Sequence, residues 1–75
     1  MADKVLDAKG MPCPLPILKA KRALKDVPVG GVLEVWATDP GSTADFEAFC
    51  RSQGHTLRAY DEPDAGVFRF LIERH

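Results

Sequence analysis

The chain switches between two hydrophobic periodicities, and the switches mark its elements. Residues 4–8 (KVLDA) form a short apolar-containing run that ends before Gly10, which predicts a first strand. Over residues 17–27 the period is helical: Ile17, Ala20, Ala23, Leu24 and Val27 share one arc, and Lys19, Lys21, Arg22, Lys25 and Asp26 fill the other. Pro28 and Gly30-Gly31 stop that helix. Residues 32–38 (VLEVWAT) return to the strand period, with Leu33, Val35 and Ala37 directed to one face. Asp39-Pro40-Gly41 is a sharp turn, and Ser42 followed by Asp45 has the spacing of a capping box that opens a second helix. Phe46, Phe49 and Cys50 form the buried stripe of this helix, and Gly54 supplies its stop. Residues 56–60 read as a strand, 61–66 (DEPDAG) as a loop and 67–74 as a last strand.

The order β-α-β-α-β-β predicts an α/β (α+β) two-layer sandwich, a four-stranded mixed sheet with both helices on one face, in a single domain spanning 1–75. A β-α-β unit requires a crossover, so part of the sheet is parallel, and the last two strands pair as an antiparallel hairpin. With Leu33, Val35 and Ala37 on the helix side, Trp36 falls on the uncovered face, beside Phe68 or Phe70. Packing of aromatic neighbours across strands accounts for it most simply, and a dimer or partner surface is the alternative.

Charge and composition narrow the function. Ten Lys+Arg against eleven Asp+Glu leave a net charge of −1, which is no footprint for direct nucleic-acid binding. Asp3, Lys4, Asp7 and Lys9 break up the first ten residues, so no signal peptide is expected, and no apolar run approaches the roughly 18 residues of a membrane span. A cytoplasmic protein is expected. Two cysteines, Cys13 and Cys50, are too few for a disulfide-built scaffold, and the spacing of Cys and His suggests no zinc site. No cofactor is expected.

The remaining chemistry centres on Cys13, in the segment Gly10-Met11-Pro12-Cys13-Pro14-Leu15-Pro16, which holds three of the six prolines. A thiol just ahead of a helix faces the positive end of the helix dipole and unpaired N–H groups, both of which favour the nucleophilic thiolate. Pro14 and Pro16 carry no N–H, leaving Leu15, Ile17 and later amides as donors. The expected depression of the thiol pKa is therefore moderate, and what Pro12, Pro14 and Pro16 add is stiffness. No second cysteine stands two or three residues away to resolve an adduct. Sulfur placed on Cys13 would stay until another protein removed it, which is carrier rather than oxidoreductase behaviour. Cys13 as a small residue near a helix cap is the plain alternative.

Cys13-Pro14-Leu15-Pro16, preceded by Leu6-Asp7 and Gly10-Met11, resembles the Cys-Pro-x-Pro signature of the TusA/SirA sulfur-carrier family. The resemblance continues through Ile17-Leu18-Lys19-Ala20-Lys21, residues 37–42 (ATDPGS), Asp45-Phe46, Cys50 and Gly54-His55, covering nearly the whole chain. It implies a two-layer sandwich of the order just read. It also implies that Cys13 accepts sulfane sulfur as a persulfide from a cysteine desulfurase or a rhodanese-type donor and relays it to a downstream acceptor protein. tRNA thiolation, molybdenum-cofactor enzymes and sulfur oxidation are the destinations typical of the family. Leu15 stands where tRNA-thiolation members often carry Glu.

Leu15 and Leu18, at i and i+3 on the outer face of the first helix, form a candidate landing site for a partner, with Lys19 and Arg22 beside them; ordinary exposed leucines are the plain alternative. Lys19, Lys21, Arg22 and Lys25 either steer Cys13 toward acidic partners or form a solvated face. Lys9 and Lys19 are candidates for raising the local positive potential. Cys50 is expected to be a core residue and His55 to lie near the carbonyls that end the second helix. Two rival functions remain at this point: a thiol redox sensor pairing Cys13 with Cys50, and a small RNA-binding module.

Overall fold

In a computed structural model of the chain, which describes residues 2–12 and 14–75, the alternating runs form β1 (Lys4–Ala8), β2 (Val32–Ala37), β3 (Thr56–Asp64) and β4 (Val67–Glu73), and the helical runs form α1 (Leu15–Leu24) and α2 (Ser42–Gln53). The four strands make one mixed sheet in the order β1-β2-β4-β3. β1 and β2 are parallel, from Lys4 opposite Leu33 to Ala8 opposite Ala37. β4 is antiparallel to both β2 and β3. The expected element order, mixed sheet and pair of helices are all present.

Burial follows the strand period. Leu33, Val35 and Ala37 of β2 and Phe70 and Ile72 of β4 are fully buried, together with Ala20, Leu24 and Val27 from the first helical segment and Phe46 and Cys50 from α2. The Phe46 ring lies 4.7 Å from that of Phe70, centroid to centroid, which seats α2 on the sheet. Phe68 lies on the same side, packed against the core. The expected aromatic cluster around Trp36 is therefore overturned: Phe68 and Phe70 share their face with Ile72, whereas Trp36 stands opposite Arg69 on the other face. Its neighbours there are cations, with Lys9 Nζ and Arg69 Cζ each 5.8 Å from the ring centroid. Its indole N–H donates to Glu34 at 2.6 Å.

Three boundaries differ from the sequence reading. α1 begins at Leu15 and ends at Leu24 instead of covering 17–27. Pro16 fits its first turn, where a missing N–H breaks no helical bond. Beyond Leu24 the chain tightens, with Val27 N–H donating to the Leu24 carbonyl at 3.1 Å, so Val27 remains buried without being helical. Arg74 closes this end by donating to the carbonyls of Leu24 at 3.0 Å and Val27 at 2.6 Å. Second, β3 runs on through Asp64, where a loop over 61–66 was expected. Pairing continues from Tyr60 to Asp61, opposite Arg69, and after a register shift resumes at Asp64, opposite Val67. A run of charges with Pro63 is compatible with an exposed edge strand, where outward groups need no ladder partner.

Third, the capping box at Ser42 is absent. The residue ahead of α2 is Gly41, and no side chain caps the helix. Ser42 is its first residue, buried, with a hydroxyl that finds no partner among the described residues. The turn is organised from Asp39 instead, whose Oδ1 accepts Gly41 N–H at 3.1 Å and whose carbonyl accepts Ser42 N–H at 3.0 Å. The far end of α2 is as expected: Gly54 adopts a left-handed φ of 78° and its N–H donates to the Cys50 carbonyl. His55 N–H donates to the same carbonyl at 2.9 Å. Because the Ser42 hydroxyl is buried and unpaired, Ser42→Ala should leave the thermal midpoint unchanged or raise it, whereas loss of a working cap would lower stability by about 1 kcal/mol; thermal unfolding of the variant checks this.

Candidate functional site

Parallel pairing of β1 with β2 brings the loops that leave their C-terminal ends side by side. The first loop leaves β1 through a tight turn. Lys9 N–H donates to Asp7 Oδ1 at 3.0 Å, Gly10 takes φ +80°, and Met11 N–H returns to the Ala8 carbonyl at 3.3 Å. A side chain at Gly10 would be strained by that backbone conformation. Leu15 N–H then donates to the Pro12 carbonyl at 2.9 Å, and α1 begins. Across the crevice stands the second loop, and Thr38 Oγ1 accepts Gly10 N–H at 2.8 Å. Gly10, Met11 and Pro12 face Thr38, Asp39 and Pro40 around a cleft of about 390 Å³.

Cys13 lies outside the described residues, but both of its neighbours are within them. Pro12 and Pro14 are exposed, and Pro16 is buried beneath the first turn of α1. Pro14 stands at the cap position of α1 with no capping side chain, and the first turn holds no carboxylate to offset the helix dipole. One expectation needs correction: the Leu15 amide is not available to an anion, because the Pro12 carbonyl holds it, and Leu18 N–H is bonded to the Pro14 carbonyl at 3.2 Å. The dipole remains, and the Leu15 and Leu18 amides do not add to it as free donors.

Leu15 and Leu18 are 42% and 51% exposed, enough for both to meet a partner. With Lys19 and Arg22 they surround one cleft of about 130 Å³ on the outer face of α1. Leu18 also borders a larger groove of about 460 Å³ between the two helices, where Pro14, Ile17 and Lys21 face Asp45, Ala48 and Phe49. Lys19, Lys21, Arg22 and Lys25 are exposed and make no ion pair among the described residues, unlike Lys4, which binds Asp26 at 2.7 Å. Lys9 does not join this face; it lies over Trp36.

Cys50 is buried in the core, and desolvation pushes its thiol up from about 9 to about 11. Among the described residues no cluster of three or more His, Cys, Asp or Glu is placed to hold a metal. Two arginines of the open sheet face are paired: Arg69 makes two hydrogen bonds to Asp61, at 3.2 and 2.9 Å, and Arg58 reaches Glu73 at 2.8 Å. The sequence reading missed the part played by Thr38. Its position just after β2 and ahead of Asp39-Pro40-Gly41 was the available signal.

The described part of the site is thus a crevice between the loops that follow β1 and β2, with the exposed apolar and basic face of α1 beside it. The family model described as sulfurtransferase TusA matches residues 4–74, and the chain belongs to that family. The chain is 50% identical over 72 residues to the sulfur carrier protein TusA of Allochromatium vinosum, covering 96% of this chain and 93% of that one. It is 40% identical over 72 residues to the sulfur carrier protein TusA of Pseudomonas putida strain GB-1, covering 96% and 89%. The crystal structure of a SirA-like protein from Desulfitobacterium hafniense superposes with a TM-score of 0.80 at 31% identity, covering 92% of this chain and 93% of that one.

The raised Cys50 thiol gives a pH prediction. A thiol whose folded pKa lies above its unfolded value stabilises the fold fully below about 9 and loses that contribution as the pH rises toward about 11. Denaturant titrations should show stability falling by about 2–3 kcal/mol across that window, and Cys50→Ala should flatten this part of the profile.

Proposed function

We propose that the chain is a sulfur carrier that holds sulfane sulfur as a persulfide on Cys13. The observation that carries the reading is the proline-framed segment 12–16 at the mouth of the crevice, with Pro12, Pro14 and Leu15 exposed around the cysteine position. The Cys13 thiolate attacks the outer sulfur of a donor persulfide. A new S–S bond forms to Cys13, the donor's S–S bond breaks, and the donor cysteine leaves as a thiolate. No net oxidation occurs. In the second half-reaction an acceptor nucleophile takes the outer sulfur and the Cys13 thiolate is the leaving group. A depressed thiol pKa helps both steps, by raising the thiolate fraction and by improving the leaving group.

The donor is a cysteine desulfurase or a rhodanese-type protein, the acceptor a downstream protein of tRNA thiolation, molybdenum-cofactor or sulfur-oxidation chemistry, and the setting the cytoplasm. None of the helices among the described residues is long and apolar enough to cross a membrane. Leu15, Leu18, Lys19 and Arg22 receive these partners. Their shared cleft beside the motif supports that role, and the cations of α1, which form no ion pair among the described residues, favour an acidic partner surface. The rival redox pair is disfavoured by the burial and raised pKa of Cys50. The RNA-binding alternative is disfavoured by the carboxylates that pair Arg58 and Arg69 on the open sheet face.

Incubation with a cysteine desulfurase and free cysteine should add one sulfur atom to the intact mass of the wild type and none to Cys13→Ser. A wild type that gains no sulfur from either a desulfurase or a rhodanese-type donor would overturn the carrier reading. Leu18→Glu should keep the fold and slow sulfur exchange about tenfold, as expected when an apolar contact at the centre of a docking surface becomes a charge. Unchanged exchange would remove Leu18 from the docking surface.

A further inference from the structure

The loop that carries Cys13 has two kinds of restraint. Most of its hydrogen bonds are internal or return to its own strand: Lys9 to Asp7, Met11 to Ala8 and Leu15 to Pro12. These bonds set the shape of the loop but not its position over the sheet. Among the described residues, one hydrogen bond ties residues 9–12 to another element, the 2.8 Å bond from Gly10 N–H to Thr38 Oγ1. Its location gives it leverage. The last paired residues of the parallel ladder are Ala8 and Ala37, and Thr38 follows directly, so its hydroxyl continues the coupling of the two chains where the backbone ladder ends. Thr38 is half-buried, although Gly10 and the bond itself are open to solvent. It also leads into the Asp39-centred turn that opens α2.

We infer that Thr38 is a positioning residue for sulfur transfer, clasping through Gly10 the loop that leads into the Cys13 motif. This rests on the reading of Cys13 as the persulfide site. Without the clasp the loop keeps its internal bonds, the packing of Met11 on the core and the contact of Lys9 with Trp36, but loses its one hydrogen bond to the second loop among the described residues, and the segment that follows is held less firmly. Chemistry that depends on the direction of attack is sensitive to such a displacement.

Thr38→Val removes the hydroxyl and keeps the shape, and Thr38→Ser keeps the hydroxyl and drops the methyl group. Valine should slow sulfur transfer from a persulfurated desulfurase about three- to tenfold, the range expected for one hydrogen bond. It should also raise the midpoint of the pH profile for Cys13 alkylation by about half a unit as the segment ahead of α1 is held less firmly. Serine should restore both quantities. Thr38→Ala provides the same comparison if the valine variant does not fold, as judged by thermal unfolding. A valine variant with wild-type transfer and pH profile, or a serine variant as impaired as valine, overturns the assignment. If the wild type itself takes up no sulfur, the carrier reading fails, while the alkylation profiles still decide the role of Thr38.

Discussion

The parallel pairing of β1 with β2 is the constraint on which the rest of the molecule depends. Five residue pairs, from Lys4 with Leu33 to Ala8 with Ala37, hold the two strands in step, so both chains leave the sheet at the same end. Each then turns into a helix, and both helices must start at that edge. The proline-rich segment 12–16 and the Asp39-Pro40-Gly41 turn are neighbours for this reason, although about 25 residues of chain separate them. Were β2 antiparallel to β1, the two loops would lie at opposite ends of the sheet and there would be no crevice.

A helix positioned at one end only could still swing. Arg74, just past the end of β4, binds the carbonyls of Leu24 and Val27 at the C-terminal end of α1 and meets the negative end of its dipole. Between the two ends, Ala20, Ala23 and Leu24 bury the inner face of the helix, and the small alanines allow close approach to the sheet. The outer face is thereby left for Leu15, Leu18 and the cations. The core and the docking face are two consequences of one amphipathic pattern.

Much of this was legible in the sequence. Alternation at Leu33, Val35 and Ala37, the 3.6-residue stripe through Ala20 and Leu24, and Gly54 at a helix end are local signals, and local backbone preference agrees with the final packing there. The misses share a cause: each depended on what lies across the fold. Ser42 has the sequence spacing of a cap, yet Asp39 organises the turn because Ser42 is drawn into the core. Residues 61–64 look like a loop until β4 provides an edge to pair with. Trp36 finds Arg69 rather than an aromatic partner because Phe68 and Phe70 share a parity that sends both to the helix side. The motif around Cys13 was legible from its prolines, whereas the bond between Gly10 and Thr38 joins residues 28 apart, and the place of Thr38 between β2 and its turn was the one local hint of it.

The outermost strand has a consequence for the behaviour of many copies together. β3 is nine residues long and exposed along most of its length, and a smooth edge of that kind would let another molecule add its own strand. Two shifts in register, Pro63 and the carboxylates of Asp61, Glu62 and Asp64 interrupt it, leaving only short stretches of regular backbone. That edge of the sheet is thereby a poor template for a strand added by another molecule.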